Sequence, residues 1–178
     1  MIIGLAVAIV AAAFATLRGG SLRAIAETEF RWVWLVFVGF AVQIGMDLWD
    51  PDSLSETGTT LVLVWTNAAI VVFLVLNRHL PGMLLAGAGL AVNLVVIIAN
   101  GAMPVSLEAA RIAGIETSLA TGIGHEPMTS STVLAWLGDV IPLPGIGLVI
   151  SPGDIVLAAG LSWLAYRQAF AGASEASG

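Results

Sequence analysis

From His125 to Gly160 the sequence HEPMTSSTVLAWLGDVIPLPGIGLVISPGDIVLAAG is apolar yet repeatedly broken. Pro127, Pro142, Pro144 and Pro152, with Gly138, Gly145, Gly147 and Gly153 among them, leave no room for a long helix before the last of these residues. In lipid, irregular backbone survives only where protein buries it or where it lines a wet cavity, because hydrocarbon satisfies no hydrogen bonds. If the rest of the chain lies in a membrane, this stretch has to be enclosed, and it marks the place for a site.

The rest of the chain does read as membrane-spanning. Hydrophobic residues make up 58% of it and charged residues 10%, against roughly 45–50% and 25% in soluble domains. Apolar runs predict spans at about residues 2–17, 31–49, 59–77, 83–99 and 153–170. The expected fold class is all-α: one polytopic membrane domain over residues 1–170 with five transmembrane helices. Residues 105–150 would hold an extracytoplasmic surface helix and then a re-entrant or broken half-helix at Leu134–Leu137. The surface helix is read over 105–121, where Glu108, Arg111 and Glu116 fall. Residues 171–178, AGASEASG, read as a flexible polar tail. Gly4, Ala8 and Ala12 form a small-residue stripe that lets another helix approach. The segment from Arg18 to Phe30 carries Arg18, Arg23, Glu27 and Glu29 with Leu22, Ile25 and Ala26 between them, and reads as a short amphipathic helix lying in the interface.

There is no lysine; Arg18, Arg23 and Arg31 fall in the first connection, Arg78 in the third and Arg167 at the end of the last span, all on one side, with Arg111 alone on the other. The positive-inside rule then predicts a bacterial cytoplasmic membrane protein with its N-terminus outside and its C-terminus inside. The first helix lacks a basic leader region, so a retained span is expected in place of a cleaved signal. No basic patch of nucleic-acid-binding size occurs. The absence of cysteine removes disulfides, iron–sulfur clusters and thiol catalysis.

Candidate site residues are few. Gln43, Asn67 and Asn93 fall at similar depths, about 15–18 Å from one face, and predict a polar layer. It serves either as interhelical glue or as the lining of a solute path. Asp47, Asp50, Asp52 and Glu56 crowd one loop, which reads as an acidic edge or a weak cation site. Ser151-Pro152-Gly153-Asp154 reads as a helix start, with Ser151 as cap, Pro152 in the first position and Asp154 in the third. Asp139 comes after the expected half-helix, where the dipole disfavours a negative charge, and before Pro142 and Pro144. Its carboxylate should be protonated, paired with His125 or Arg111, or bound to a cation. No zinc-protease, nucleophile-elbow, phosphate-loop or dinucleotide motif is present. Metal and cofactor stay undefined.

RGGSL after the first span, NGAMPV after the fourth, a histidine, LGDVIPLP and SPGDIVLAAG together resemble a bacterial family of small multi-pass membrane proteins known only as a domain of unknown function. The resemblance covers nearly the whole chain. It implies that Asn100, Met103, Pro104, His125, Asp139, Pro142 and Asp154 belong to one motif set, and it implies no activity. The expected function is small-solute or ion binding or transport through an extracytoplasmic site formed by Asp139, His125, Asn100 and Asp154. The alternatives are a structural or assembly subunit, alone as a homo-oligomer or with a partner membrane subunit, and an outer-leaflet enzyme. The lipid bilayer is the expected partner in each.

Overall fold

The structure, a computed structural model, describes residues 2–48, 55–115 and 124–171. Among the described residues it is mostly helical, with seven α-helices and 65% in helix. These are α1 (Ile2–Leu17), α2 (Leu22–Ala26), α3 (Trp34–Leu48), α4 (Glu56–Leu76), α5 (Met83–Asn100), α6 (Leu107–Ala113) and α7 (Pro152–Ala169). Four short strands complete it: β1 (Met103–Val105), β2 (His125–Pro127), β3 (Ile141–Leu143) and β4 (Leu148–Ile150). The long helices lie side by side in the order α1, α7, α5, α4, α3. The main core is the seam of α4, α5 and α7, built from Ile70, Phe73, Leu74, Met83, Ala86, Leu90, Leu157 and Leu164.

Close approach, more than bulk, sets the α5–α7 seam. A Cβ on Gly89 would stand 2.5 Å from the Gly153 carbonyl, and one on Gly160 would strike the backbone of Ala86. Glycine on both helices lets the two backbones touch, which is how small-residue faces pack when side-chain burial gives little drive. The same contact carries the start of α7 to the middle of α5.

Two expectations need correction. Among the described residues only Thr57–Leu76 and Met83–Asn100 are long and apolar enough to cross a membrane, so five spans are not supported. The apolar parts of α1 and α3 are the shorter Ala6–Leu17 and Trp34–Gly45. α7 is long enough at 18 residues but begins with Pro152, Gly153 and Asp154 and ends through Tyr166, Arg167 and Gln168. Second, the expected half-helix is a single 3-10 turn, Ala135–Leu137, entered through Leu134 in the left-handed region (φ 55). Beyond that turn, β3 and β4 form a β-hairpin. Pro142 and Pro144 withhold the amides a helix needs, and the hairpin loop is closed by Gly145 and Gly147 with φ of 83 and 68. The fold is therefore mostly helical, as expected, with a small strand-bearing cap. The surface helix is real but short, α6, with Ala109, Ala110 and Ala113 buried. Glu116, Asp50, Asp52, the side chains of Asp47 and Glu56, and residues 172–178 lie outside the described residues.

Candidate functional site

At the C-terminal end of α5 the chain turns through Gly101 into β1, whose three residues are all buried. β1 pairs in parallel with β2, setting Met103 opposite His125 and Pro104 opposite Glu126. On its other side Val105 bridges Asp139: the Asp139 amide donates to the Pro104 carbonyl at 2.9 Å, and the Ser106 amide donates to the Asp139 carbonyl at 2.9 Å. Gly138 permits this, since a Cβ there would come within 2.6 Å of the Pro104 oxygen. Asp139 is thus held by its own backbone amide and carbonyl, independently of its side chain.

The Asp139 side chain is buried, at 6% exposure for the residue. Nε2 of the half-exposed His125 lies 3.6 Å from its Oδ2, too far for a hydrogen bond and close enough for attraction once the imidazole is protonated. Burial, and secondarily the negative charge of Asp154, pushes the Asp139 carboxyl up from 3.8 to about 7. Arg111, the other expected partner, instead pairs with Glu108 at 2.6 Å on the exposed face of α6.

The capping box read at the start of α7 is present. The Asp154 amide donates to Ser151 Oγ at 3.0 Å and the Ser151 amide donates to Asp154 Oδ2 at 3.1 Å. Asn93 extends it, because the α5–α7 contact brings that residue against Gly153. Asn93 Nδ2 donates to Asp154 Oδ1 at 3.1 Å, and Ser151 Oγ donates to Asn93 Oδ1 at 2.9 Å. Ser151 Oγ also stands 3.0 Å from Asp154 Oδ2. Its single proton cannot serve both acceptors well, so Asn93 and Asp154 share it. Ser151, fully buried, is therefore part of the cluster, a role that the sequence offered only as a cap.

Asn100 sits in the same cap but is engaged elsewhere. Its Nδ2 donates to the carbonyls of Val96 and Val133, and its Oδ1 accepts from the Val133 amide at 2.9 Å. It clamps the loop that precedes the 3-10 turn. Of the three amides expected to share a layer, Gln43 donates to Thr66 Oγ1 at 3.2 Å, Asn67 to the Leu63 carbonyl of its own helix, and Asn93 joins the cap cluster. The residue that sequence reasoning passes over is Asn77, 0% exposed, which donates to the carbonyls of Arg31 and Phe73 and accepts from the Arg31 amide at 2.8 Å. Its signal is a repeat, Asn77-Arg78-His79-Leu80-Pro81 against Asn100-Gly101-Ala102-Met103-Pro104.

Chemically the cap offers a proton acceptor near neutrality, a histidine beside it and a second carboxylate held by Ser151 and Asn93. Among the described residues no group of three or more His, Asp or Glu stands together as a metal ligand set. A family of unknown function, DUF5317, matches residues 27–166, and the chain belongs to that family. No curated protein and no solved structure matches it.

Proposed function

We propose that this member of DUF5317 is a multi-pass membrane protein that binds and releases a proton or small cation at Asp139, with Asp154 as the second carboxylate and His125 at the solvent side. The reading places the cap on the extracytoplasmic side and the arginine-bearing connections in the cytoplasm. One observation carries it: a buried carboxylate, fixed by its own backbone and not by any side-chain cap, close enough to a second carboxylate to feel its charge. Two like charges in a poorly solvated site cannot both stay bare, so one of them holds a proton or a cation. The two helices able to cross a bilayer support the membrane placement.

The test uses the purified chain in liposomes carrying a trapped pH-sensitive dye, with an imposed pH or sodium gradient. Wild-type protein should dissipate the gradient faster than empty vesicles, and Asp139→Asn should not. An Asp139→Asn protein that still dissipates it removes the carboxylate from the function.

A second reading, an assembly subunit, draws support from apolar side chains exposed on the cap outside the long helices. Val133, Trp136 and Ile146 are 50%, 68% and 70% exposed. Under it, cross-linking from a photoreactive group at position 136 would capture a second copy or a partner subunit in native membranes, and lipid alone would defeat it.

A further inference from the structure

Opposite the cap, the ends of the five long helices gather five of the six arginines. The C-termini of α1 and α7 meet there, with the Ser21 amide donating to the Ala169 carbonyl at 2.7 Å. The start of α3 is bound to the end of α4 through the Asn77–Arg31 bonds. Gly82 lies against Gly160 and Leu164, which brings the α4–α5 turn to the same end. Arg18, Arg23, Arg31, Arg78 and Arg167 are all exposed there. Arg23 pairs with Glu27 at 2.7 Å, whereas no acid pairs with Arg18, Arg31, Arg78 or Arg167 among the described residues.

Aromatic rings accompany three of these four. Arg18 stacks over Phe14 at 5.1 Å. Trp32 and Trp34, at 5.6 Å from each other, come directly after Arg31 and are 58% and 51% exposed. Trp163 and Tyr166, 52% and 43% exposed, precede Arg167. Unpaired guanidinium groups bind phosphate through fixed forks of donors, and half-exposed aromatic rings favour the boundary between headgroups and acyl chains. His79, also exposed, adds a ring N–H donor in the same turn.

We infer that this end is a binding surface for anionic phospholipid, with Arg18, Arg31, Arg78 and Arg167 holding the phosphate headgroups and the neighbouring aromatic rings seated among the upper acyl chains. Charge complementarity selects the occupant: four unpaired positive groups face a leaflet of negative ones. The inference shares with the proposed function only the placement in a bilayer and makes no use of Asp139.

The test is native mass spectrometry of the full chain in an uncharged detergent, titrated separately with phosphatidylglycerol, phosphatidylcholine and inorganic phosphate. Phosphatidylglycerol should bind more tightly than phosphatidylcholine. Each of Arg31→Gln and Arg167→Gln should weaken it by about fivefold, the effect of about 1 kcal/mol per arginine at such a surface. Arg111→Gln, at the other end of the molecule, should change it less than about twofold. Circular dichroism of each variant confirms retained helicity, and Arg18→Gln replaces any variant that loses it. Equal binding of the two lipids overturns the inference, as does an equal loss in Arg111→Gln. Displacement of phosphatidylglycerol by inorganic phosphate at similar concentration would overturn it too, by showing an anion site in place of a lipid surface. Because Asp139→Asn leaves this surface intact, it should bind phosphatidylglycerol as wild type does whichever way the proton-flux experiment falls.

Discussion

The two ends of the helix row use one device for different purposes. At the basic end Asn77 grips the Arg31 residue by both its amide and its carbonyl; at the cap Asn100 grips Val133 in the same way. In each case the next residue, Trp32 or Leu134, takes the left-handed conformation (φ 57 and 55), and a helical turn begins. The difference lies in what surrounds the clamp. Asn77 is sealed, at 0% exposure, beneath a surface of arginines, whereas Asn100 is half-exposed and holds the loop that leads to a buried carboxylate. A clamp sealed in the core stabilises the fold; a clamp at a solvated cap fixes the approach to a titrating group. The left-handed residues fit that division, since strain of this kind persists only where surrounding bonds over-determine it.

The sharpest challenge to this comparison is to remove each amide. Asn77→Ala should lower stability by about 3 kcal/mol, because it removes three hydrogen bonds of a fully buried amide and orphans the Arg31 amide and carbonyl together. Asn100→Ala should cost about 1 kcal/mol, since water reaches its partners. Thermal unfolding in detergent compares them, and equal losses would erase the distinction between the two ends.

The pH dependence should belong to the cap alone. Folded Asp139 titrates near 7 and the unfolded carboxyl at 3.8, so between these values the folded state holds a proton that the unfolded chain has lost. The stability from this group is fully present below the lower value and is lost as pH rises through about 7. The slope is about 1.4 kcal/mol per pH unit across the window. Unfolding followed from about pH 5 to about pH 8 should show that decline in wild type and a flatter profile in Asp139→Asn. A decline that persists in Asp139→Asn assigns it to another group.

Within the cap, Asp154→Asn should cost about 1 kcal/mol through the weakened capping box, and more if the Asn93 and Ser151 bonds fail with it. Asp139→Asn should cost less than that near neutral pH, and a larger loss there would exchange the two roles. The smallest effect is expected on α7. Ser162 Oγ is buried and has no hydrogen-bond partner among the described residues. Ser162→Ala should therefore leave the melting temperature unchanged or raise it slightly, by the equivalent of a few tenths of a kcal/mol. A marked fall would reveal a partner for that hydroxyl.

Local chemistry makes part of this architecture legible. Ser151, Pro152 and Asp154 specify a helix start through bonds within four residues, so the capping box can be read without the fold. The long apolar helices α4 and α5 and the arginines in their connections emerge from composition and period alone. Asp139 stands out in the sequence for a reason that the structure replaces. The half-helix whose dipole should repel its charge is one 3-10 turn, too short to carry an appreciable dipole, and burial together with Asp154 perturbs the carboxyl instead. The partners of Gln43, Asn67 and Asn93 were not legible, because depth along a helix says nothing about which neighbour a side chain faces.

What the sequence determined by itself, then, is whatever its near neighbours control: helix starts and stops, the breaks at proline and glycine, and the sorting of arginines to one side. Tertiary structure decided the rest. It took the parallel pairing of Met103–Val105 with His125–Pro127 to bring a histidine beside Asp139, and the glycine contact of α5 with α7 to carry Asn93 onto Ser151 and Asp154. These residues lie 14, 58 and 61 positions apart, and no local preference spans such distances. Only the packing of backbones that carry no side chains at the seam brings Asn93 within a hydrogen bond of that helix start.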